Sequence, residues 1–500
     1  MKPIINAPTI LFLIMLFFEL SIGQVVPGLR GYEFIQGVDT IPSDRLGSNV
    51  IVDIRSNPLD STLWFSTGKG VSNFDPLPDS IWQSWNESHG IGKGGVSALA
   101  VTDTIIWLAT AYDTTVGISG AGGGLSFSRD NGVTWTHFPQ PADPHVPVQA
   151  NGYSDSLGYW PTTTNVDNIT YDLALSPNYI WITSKGGGLR RHPYAAEFTQ
   201  YNWEVITPNG APFHPAADLN HIAFAVVYDD SGLLWTGSAE GIGLSRDEGE
   251  TWENFTHLNS GISGNFITSM AVQDARGRHI VWATTWRAEG STEFYGVSYS
   301  DNEGATWHVT LEGIHGHNIA FDDSIIYVAD DRGLWKSDDW GQTWLIFPMI
   351  RDDMSGVVIR EREVYSVLPY LGTLWVGGAD GLASSPDGGI HWTVYRAFEP
   401  TRTGGSPATY AYPNPFSPTR YPVVRFQYDL DQASSVTLKI YDFSMTLVRT
   451  VVDGVQRQGG DRFEEWDGRN DKGRLVANGT YFYLIKAENR EHWGKVVILD

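Results

Sequence analysis

The sequence contains no cysteine in 500 residues. That excludes disulfides, a lipidated N-terminal cysteine, a thiol nucleophile and any cysteine-bearing metal site, so stability must come from packing alone. Basic residues are scarce: 33 Lys and Arg stand against 57 Asp and Glu, for a formal net charge of -24. Such a chain repels phosphate backbones and anionic lipid surfaces, which argues against nucleic acid and membrane surfaces as partners. Long apolar runs are confined to the opening MKPIINAPTILFLIMLFFELSIGQ, where Lys2 precedes a run ending near Phe18 and small Ser21 and Gly23 precede Gln24. This pattern reads as a secretory signal peptide over residues 1–23, too short for a comfortable membrane span, with no transmembrane segment in the mature chain.

Glycine and aromatics are abundant: 54 Gly, 20 Trp, 22 Tyr and 22 Phe, with 26 Pro. Such a profile suits short strands joined by tight turns. The length implies at least two domains.

One eight-residue stretch repeats. SRDNGVTW at 128–135 returns as SRDEGETW at 245–252 and SDDWGQTW at 337–344, with looser copies SDNEGATW at 300–307 and SPDGGIHW at 385–392. Within S-x-D-x-G-x-T-W, the Asp can accept hydrogen bonds from nearby backbone N–H groups while the Gly takes a positive φ, so each copy predicts a hairpin corner. The closing Trp can fold back over that corner and bury a large apolar surface. A second motif, a hydrophobic residue followed by an aromatic, recurs at Leu63-Trp64, Ile106-Trp107, Ile180-Trp181, Leu234-Trp235, Val281-Trp282, Ile326-Tyr327 and Leu374-Trp375. The spacing matches one four-stranded propeller blade per copy, apart from insertions in the second and third intervals.

On the S-x-D-x-G-x-T-W copies the chain resembles the Asp-box (BNR) β-propeller repeat family. On units such as STLWFSTGKGVSNFD it is similar to the propeller repeats in the periplasmic sensor half of hybrid two-component regulators. The fold expected is all-β: a seven-bladed β-propeller over 24–396, then a small immunoglobulin-like β-sandwich. An Asn precedes the innermost strand in five units (Asn49, Asn168, Asn220, Asn265, Asn318), either bonding the local turn or lining a central channel.

Strand order places the repeated corners, between third and fourth strands, on one face of the propeller. Insertions at 136–168, 204–220, 110–123 and 286–295 fall on the opposite face, where loops on a rigid scaffold commonly carry function. The candidate ligand-binding residues there are Tyr153, Tyr159, Trp160, Phe213, His214, Trp286, Arg287, Glu289 and Tyr295. Aromatic rings beside polar groups suit a sugar, though the same rings could pack the loops against one another.

Residues 397–410, AFEPTRTGGSPATY, read as a linker. From 411 to 500, Tyr412-Pro413-Asn414-Pro415-Phe416, Ile440-Tyr441-Asp442, Trp466-Asp467-Gly468 and Gly479-Thr480-Tyr481 closely resemble the FlgD-type immunoglobulin-like and type A sorting domains of type IX secretion cargo. Phe443-Ser444-Met445 departs from the family, which commonly has a Gly after the tyrosine strand. The resemblance implies a bacterial protein handled by the type IX machinery and released or held at the outer-membrane surface.

Catalytic signatures are sparse. There is no Arg-Ile-Pro motif or assignable arginine triad of a sialidase, and Asp330 and Asp331 are adjacent in one turn. His315-x-His317 could supply two metal ligands but lacks a nearby carboxylate or third His in sequence. SGAGGG at 119–124 lacks the Lys-Ser/Thr of a phosphate loop. No catalytic, metal or cofactor site is therefore assigned. The expected function is a secreted, non-catalytic propeller binding an extracellular glycan or surface protein; the alternative is a propeller glycoside hydrolase, sialidase- or xyloglucanase-like.

Overall fold

The structure, a computed structural model, describes residues 46–76, 81–114, 120–143, 163–288, 290–354, 357–397, 409–419, 423–430, 432–487 and 490–499. The chain divides into two compact units, one ending at Tyr395 and the other beginning at Arg396. The expected signal peptide and most of the expected linker lie outside the described residues.

In the first unit the described residues form seven four-stranded antiparallel sheets, one after another along the chain. The first sheet shows the plan: Ile51–Ser56, Leu63–Thr67, Gly70–Asp75 and Ile81–Trp85, paired in that order. The leading strands of the other sheets are Gly95–Val101, Thr170–Leu175, Ala223–Tyr228, Phe266–Ala275, Gly316–Asp322 and Val364–Tyr370. Each leading strand packs beside that of the next sheet, and the last returns to the first, so the sheets close into a propeller around a central channel. All seven aromatic residues of the recurring pair sit on second strands. Trp64, Trp107, Trp181, Trp235 and Trp282 are at most 1% exposed, and Tyr327 and Trp375 are also buried.

The repeated corner is built as its residues dictate. Gly132 N–H donates to Ser128 Oγ at 2.8 Å, while Thr134 donates its N–H to Asp130 Oδ1 at 2.8 Å and its hydroxyl to Oδ2 at 2.6 Å. The copies at Asp247 and Asp339 repeat these bonds. Asn302 does the same work uncharged, accepting from Thr306 N–H at 2.9 Å and donating to its hydroxyl at 2.8 Å. The corner glycines Gly132, Gly249, Gly304, Gly341 and Gly389 have φ between 82° and 100°.

Each corner also docks onto the preceding sheet. A Cβ added at Gly132, Gly249, Gly304, Gly341 or Gly389 would come within 2.1–2.8 Å of Trp85, Trp181, Phe255, Trp282 or Phe347 respectively. The repeat thus supplies a bare backbone surface against which a neighbouring aromatic ring packs, and only glycine leaves that space.

The second unit packs a three-stranded sheet (Thr409–Tyr412, Val424–Leu430, Gly460–Trp466) against a four-stranded one (Ser434–Tyr441, Leu447–Arg457, Gly479–Ala487, Arg490–Ile498). Phe416, Phe426, Leu438, Ile440, Trp466, Tyr483 and Ile485 fill the space between them. Alternation explains this: along Val436-Thr437-Leu438-Lys439-Ile440 every second side chain turns inward. The entrance motif clasps the last strand, Asn414 accepting from Val497 N–H at 2.9 Å and donating to the Lys495 carbonyl at 3.1 Å. Where the family commonly has glycine, Met445 adopts φ 64°, and the turn is held by Asp442 accepting from Ser444 N–H and Thr446 N–H.

Candidate functional site: the central channel and its mouth

Every leading strand starts at the loop-bearing face and carries a bulge at the same level. The extra residues are Val52, Ser97, Tyr171, Phe224, Thr268, His317 and Tyr365, one per sheet. A bulge leaves one residue outside the ladder and re-aims its side chain. All seven line the channel, which encloses about 700 Å³. Its mouth is therefore a ring fixed by backbone geometry, aromatic or hydroxyl-bearing at every position but Val52, with Tyr171 and Phe224 adjacent at 5.5 Å between ring centroids.

One residue below this ring stand Asp53 and Asp172, and two residues further along the first strand stands Arg55, all lining the channel. Arg55 Nε donates to Asp53 Oδ2 at 2.9 Å and to the Leu99 carbonyl at 3.3 Å. Asp53 Oδ1 accepts from Ile54 N–H at 2.9 Å. Asp172 accepts from Leu173 N–H at 2.9 Å and, across to the fourth sheet, from Val226 N–H at 3.0 Å. Asn318 makes the equivalent link to Val367 N–H at 3.2 Å. Burial pushes the Asp172 carboxyl up to about 6, against the pull of the Arg55 charge. Burial also raises Asp53, with Arg55 opposing it.

On the rim above sheets five to seven, Trp286 lies 4.9 Å from His315 and 5.9 Å from His317. Tyr295 lies 4.2 Å from His315, and His317 meets Tyr365 at 5.6 Å. Asp331 joins the two histidines, with 2.8 Å to His315 Nδ1 and 2.7 Å to His317 Nε2. Burial works to raise its carboxyl, but the hydrogen bonds from His317 and His315, with their charges, hold it below the usual value. Asp330, its sequence neighbour, is buried and accepts from Arg332 instead. A nearby carboxylate for the His-x-His pair thus exists, brought back by the out-and-return path of two strands. Among the described residues no set of three or more His, Asp or Glu is arranged to hold a metal ion.

Of the residues expected to bind ligand, Tyr153, Tyr159, Trp160 and Glu289 lie outside the described residues. Phe213 and Trp286 are buried, and the Trp286 indole donates to the Gly316 carbonyl at 3.1 Å. His214 and Arg287 are exposed, and Tyr295 is half-buried on the rim. Among the described members of this set, only Trp286 and Tyr295 share one cluster. Phe213 lies instead against Gly188 and under the Arg190 guanidinium. The long second-to-third-sheet connection is pinned at both ends: Arg190 pairs with Asp143 at 2.7 Å, both almost fully buried, and Asp143 Oδ2 accepts from Thr163 N–H. Asn168 donates to the Thr164 carbonyl and to the distant Pro141 carbonyl and Asn265 accepts from His257 N–H, whereas Asn318 lies one residue past the bulge and lines the channel.

The bulge ring and the Asp53–Arg55–Asp172 row were not identified from the sequence. Their signal was present: after each bulge residue comes a small or polar residue (Asp53, Ala98, Asp172, Ala225, Ser269, Asn318, Ser366), then a large apolar one (Ile54, Leu99, Leu173, Val226, Met270, Ile319, Val367).

These observations define a β-propeller followed by an immunoglobulin-like sandwich. The family model of the FlgD Ig-like domain matches residues 422–491. No curated protein matches the chain. Among solved structures, the GH74 enzyme of Niastella koreensis is similar over 92% of this chain and 75% of its own, at 14% identity and TM-score 0.52, a likeness of fold. PorZ, a surface component of the type IX secretion system of Porphyromonas gingivalis, aligns over 91% of this chain at 14% identity and TM-score 0.43. The extracellular domain of the hybrid two-component system BT4673 from B. thetaiotaomicron aligns over 93% at 13% identity and TM-score 0.48. The chain spans 66% of the PorZ chain and 59% of the BT4673 chain, less than two thirds of each.

Proposed function

We propose that the chain is an exported bacterial propeller that binds an extracellular glycan or surface protein at its loop-bearing face, while its C-terminal domain directs export or surface attachment. The five corners are read as Asp-boxes and serve as scaffold. The observation that carries the binding reading is the channel mouth: seven bulge side chains, six of them aromatic or polar and the seventh Val52, line one cavity. Concave sites lined by apolar surface with a few fixed polar groups are where small ligands bind. A signal-peptide-like start and the match to the FlgD Ig-like domain support the export reading.

A glycoside hydrolase would need two carboxyl groups free to donate and accept protons across a glycosidic bond. Both oxygens of Asp172 accept backbone N–H groups, and Asp53 is divided between Ile54 N–H and Arg55, which favours binding over turnover. Saturable binding to a polysaccharide and surface-protein panel without release of reducing ends is the expected result. Turnover of any polysaccharide would replace this reading with the hydrolase. For the tail, deletion of 411–500 is expected to leave a folded propeller retained in the periplasm, and efficient release of that truncated protein into the medium would refute the export role.

A further inference from the structure

Resting on the binding reading above, we infer that the Asp53–Arg55–Asp172 row inside the channel is the polar floor of a site for an uncharged saccharide, whose hydroxyls bridge the carboxylates and the guanidinium. Among the described residues, Arg55 is the one Lys or Arg that lines the channel, and Asp53 and Asp172 are the carboxylates at its level. Arg55 spends its Nε on Asp53 and Leu99, and its two terminal nitrogens make no hydrogen bond. The side chain is nevertheless 43% exposed, although it sits on a leading strand, so that exposure is to the channel. A guanidinium fork with unused donors asks for oxygen acceptors. Each oxygen of Asp53 and Asp172 accepts one hydrogen bond, three from backbone N–H groups and one from Arg55 Nε, and has a lone pair left for a donor.

Charge then selects among ligands. An anion would reach the fork only beside two carboxylates, and a cation would reach the carboxylates only beside the fork. A neutral polyol avoids both conflicts, because every hydroxyl can donate to Asp53 or Asp172 and accept from Arg55. The wall adds to the match. Tyr171 stands one residue above Asp172 with the buried Phe224 ring packed beside it, and an aromatic ring can stack on the apolar face of a pyranose while the sugar hydroxyls turn to polar groups. The volume, about 700 Å³, lies within the range of about 300–1,000 Å³ typical of small-ligand sites. The Asp172 oxygens accept only the Leu173 and Val226 backbone N–H groups and meet no side-chain donor among the described residues, and burial raises the carboxyl.

The variants are chosen to leave the fold intact. Asp172→Asn keeps an oxygen for Val226 N–H, as Asn318 does for Val367, and gives up the charge and the acceptor that meets Leu173 N–H. Arg55→Met keeps the aliphatic stem and removes the donors. Isothermal titration of the full chain with cellohexaose, xylohexaose, mannohexaose and maltohexaose, with hexagalacturonate and spermidine as charged probes, gives the test. At least one neutral hexasaccharide is expected to bind, and each variant is expected to weaken it tenfold or more with an unchanged melting temperature. If Arg55→Met melts early, Arg55→Lys keeps the charge without the fork, and the same tenfold loss is expected. Tightest binding of hexagalacturonate or spermidine, weakened by the variants, overturns the uncharged-ligand assignment while upholding a channel site. Neutral binding indifferent to both variants overturns the site. Absence of neutral binding overturns the inference too, and the broader binding reading falls with it only if a surface-protein screen is also blank.

Discussion

Replacing Gly249 by alanine separates the two jobs of the repeated corner. Gly249 has φ 91°, where any residue with a Cβ is strained by about 1–2 kcal/mol. Its Cβ would in addition stand 2.5 Å from Trp181 Cη2. Trp181 cannot easily retreat: it is fully buried, its indole donates to Ser176 Oγ at 3.1 Å, and Arg191 lies over its ring. Arg191 is itself tied to the corner through the Glu248 carbonyl. Overpacking a rigid neighbour costs about 1–3 kcal/mol, so Gly249→Ala is expected to lose about 2–5 kcal/mol. The control lies in the fifth corner, where Gly388 has φ 70° and nothing within 4 Å of its absent Cβ. Gly388→Ala should therefore lose only the backbone term, about 1–2 kcal/mol. Guanidinium unfolding followed by tryptophan fluorescence and by circular dichroism measures both. Equal losses in the two variants would refute the claim that the corner glycine exists to admit the neighbouring sheet's ring.

Breaking the Asp143–Arg190 pair should be comparably severe: Asp143→Ala leaves a buried guanidinium without its carboxylate and is expected to destabilise by about 3–5 kcal/mol, while a loss under 1 kcal/mol would show that the pair does not anchor the long connection. Acid should act through the corners. Hydrogen bonds from the Thr343 hydroxyl and N–H lower the Asp339 carboxyl from 3.8 to about 2, so its stabilisation is complete above about pH 4 and is lost as pH falls through about 2. A melting temperature that drops over that window in the wild type, and less in Asp339→Asn, is expected. An identical acid limb in both proteins would mean that the corner carboxylate is not titrating.

Much of the scaffold could be read from residues, because its determinants are local. The five corners carry their hydrogen-bonding partners within eight positions, and the hydrophobic-aromatic pairs mark second strands directly. The sandwich followed from alternation and from motifs such as Trp466-Asp467-Gly468. What escaped depended on alignment between distant copies. Asn49, Asn168 and Asn265 stand three residues before their bulges, whereas Asn318 follows its own, so grouping these Asn residues together hid the column that lines the channel. A bulge shifts a strand by one residue, which breaks the simple two-residue period and moves a side chain to the other face. Asp331 was missed for a different reason: its partner histidines lie 14 and 16 residues earlier, across a hairpin. Trp286 and Phe213 were expected on open loops, but each found a neighbouring element to cover it.

The central claim is that the corners hold the propeller together and the channel meets the ligand. A glycan array probed side by side with the wild type, Asp172→Asn and Asp247→Asn tests it most directly. Asp247→Asn retains the corner bonds that Asn302 already makes without charge. The account predicts that Asp247→Asn keeps the wild-type binding profile and that Asp172→Asn loses it, both proteins being folded. Loss of binding in Asp247→Asn with full retention in Asp172→Asn would contradict it.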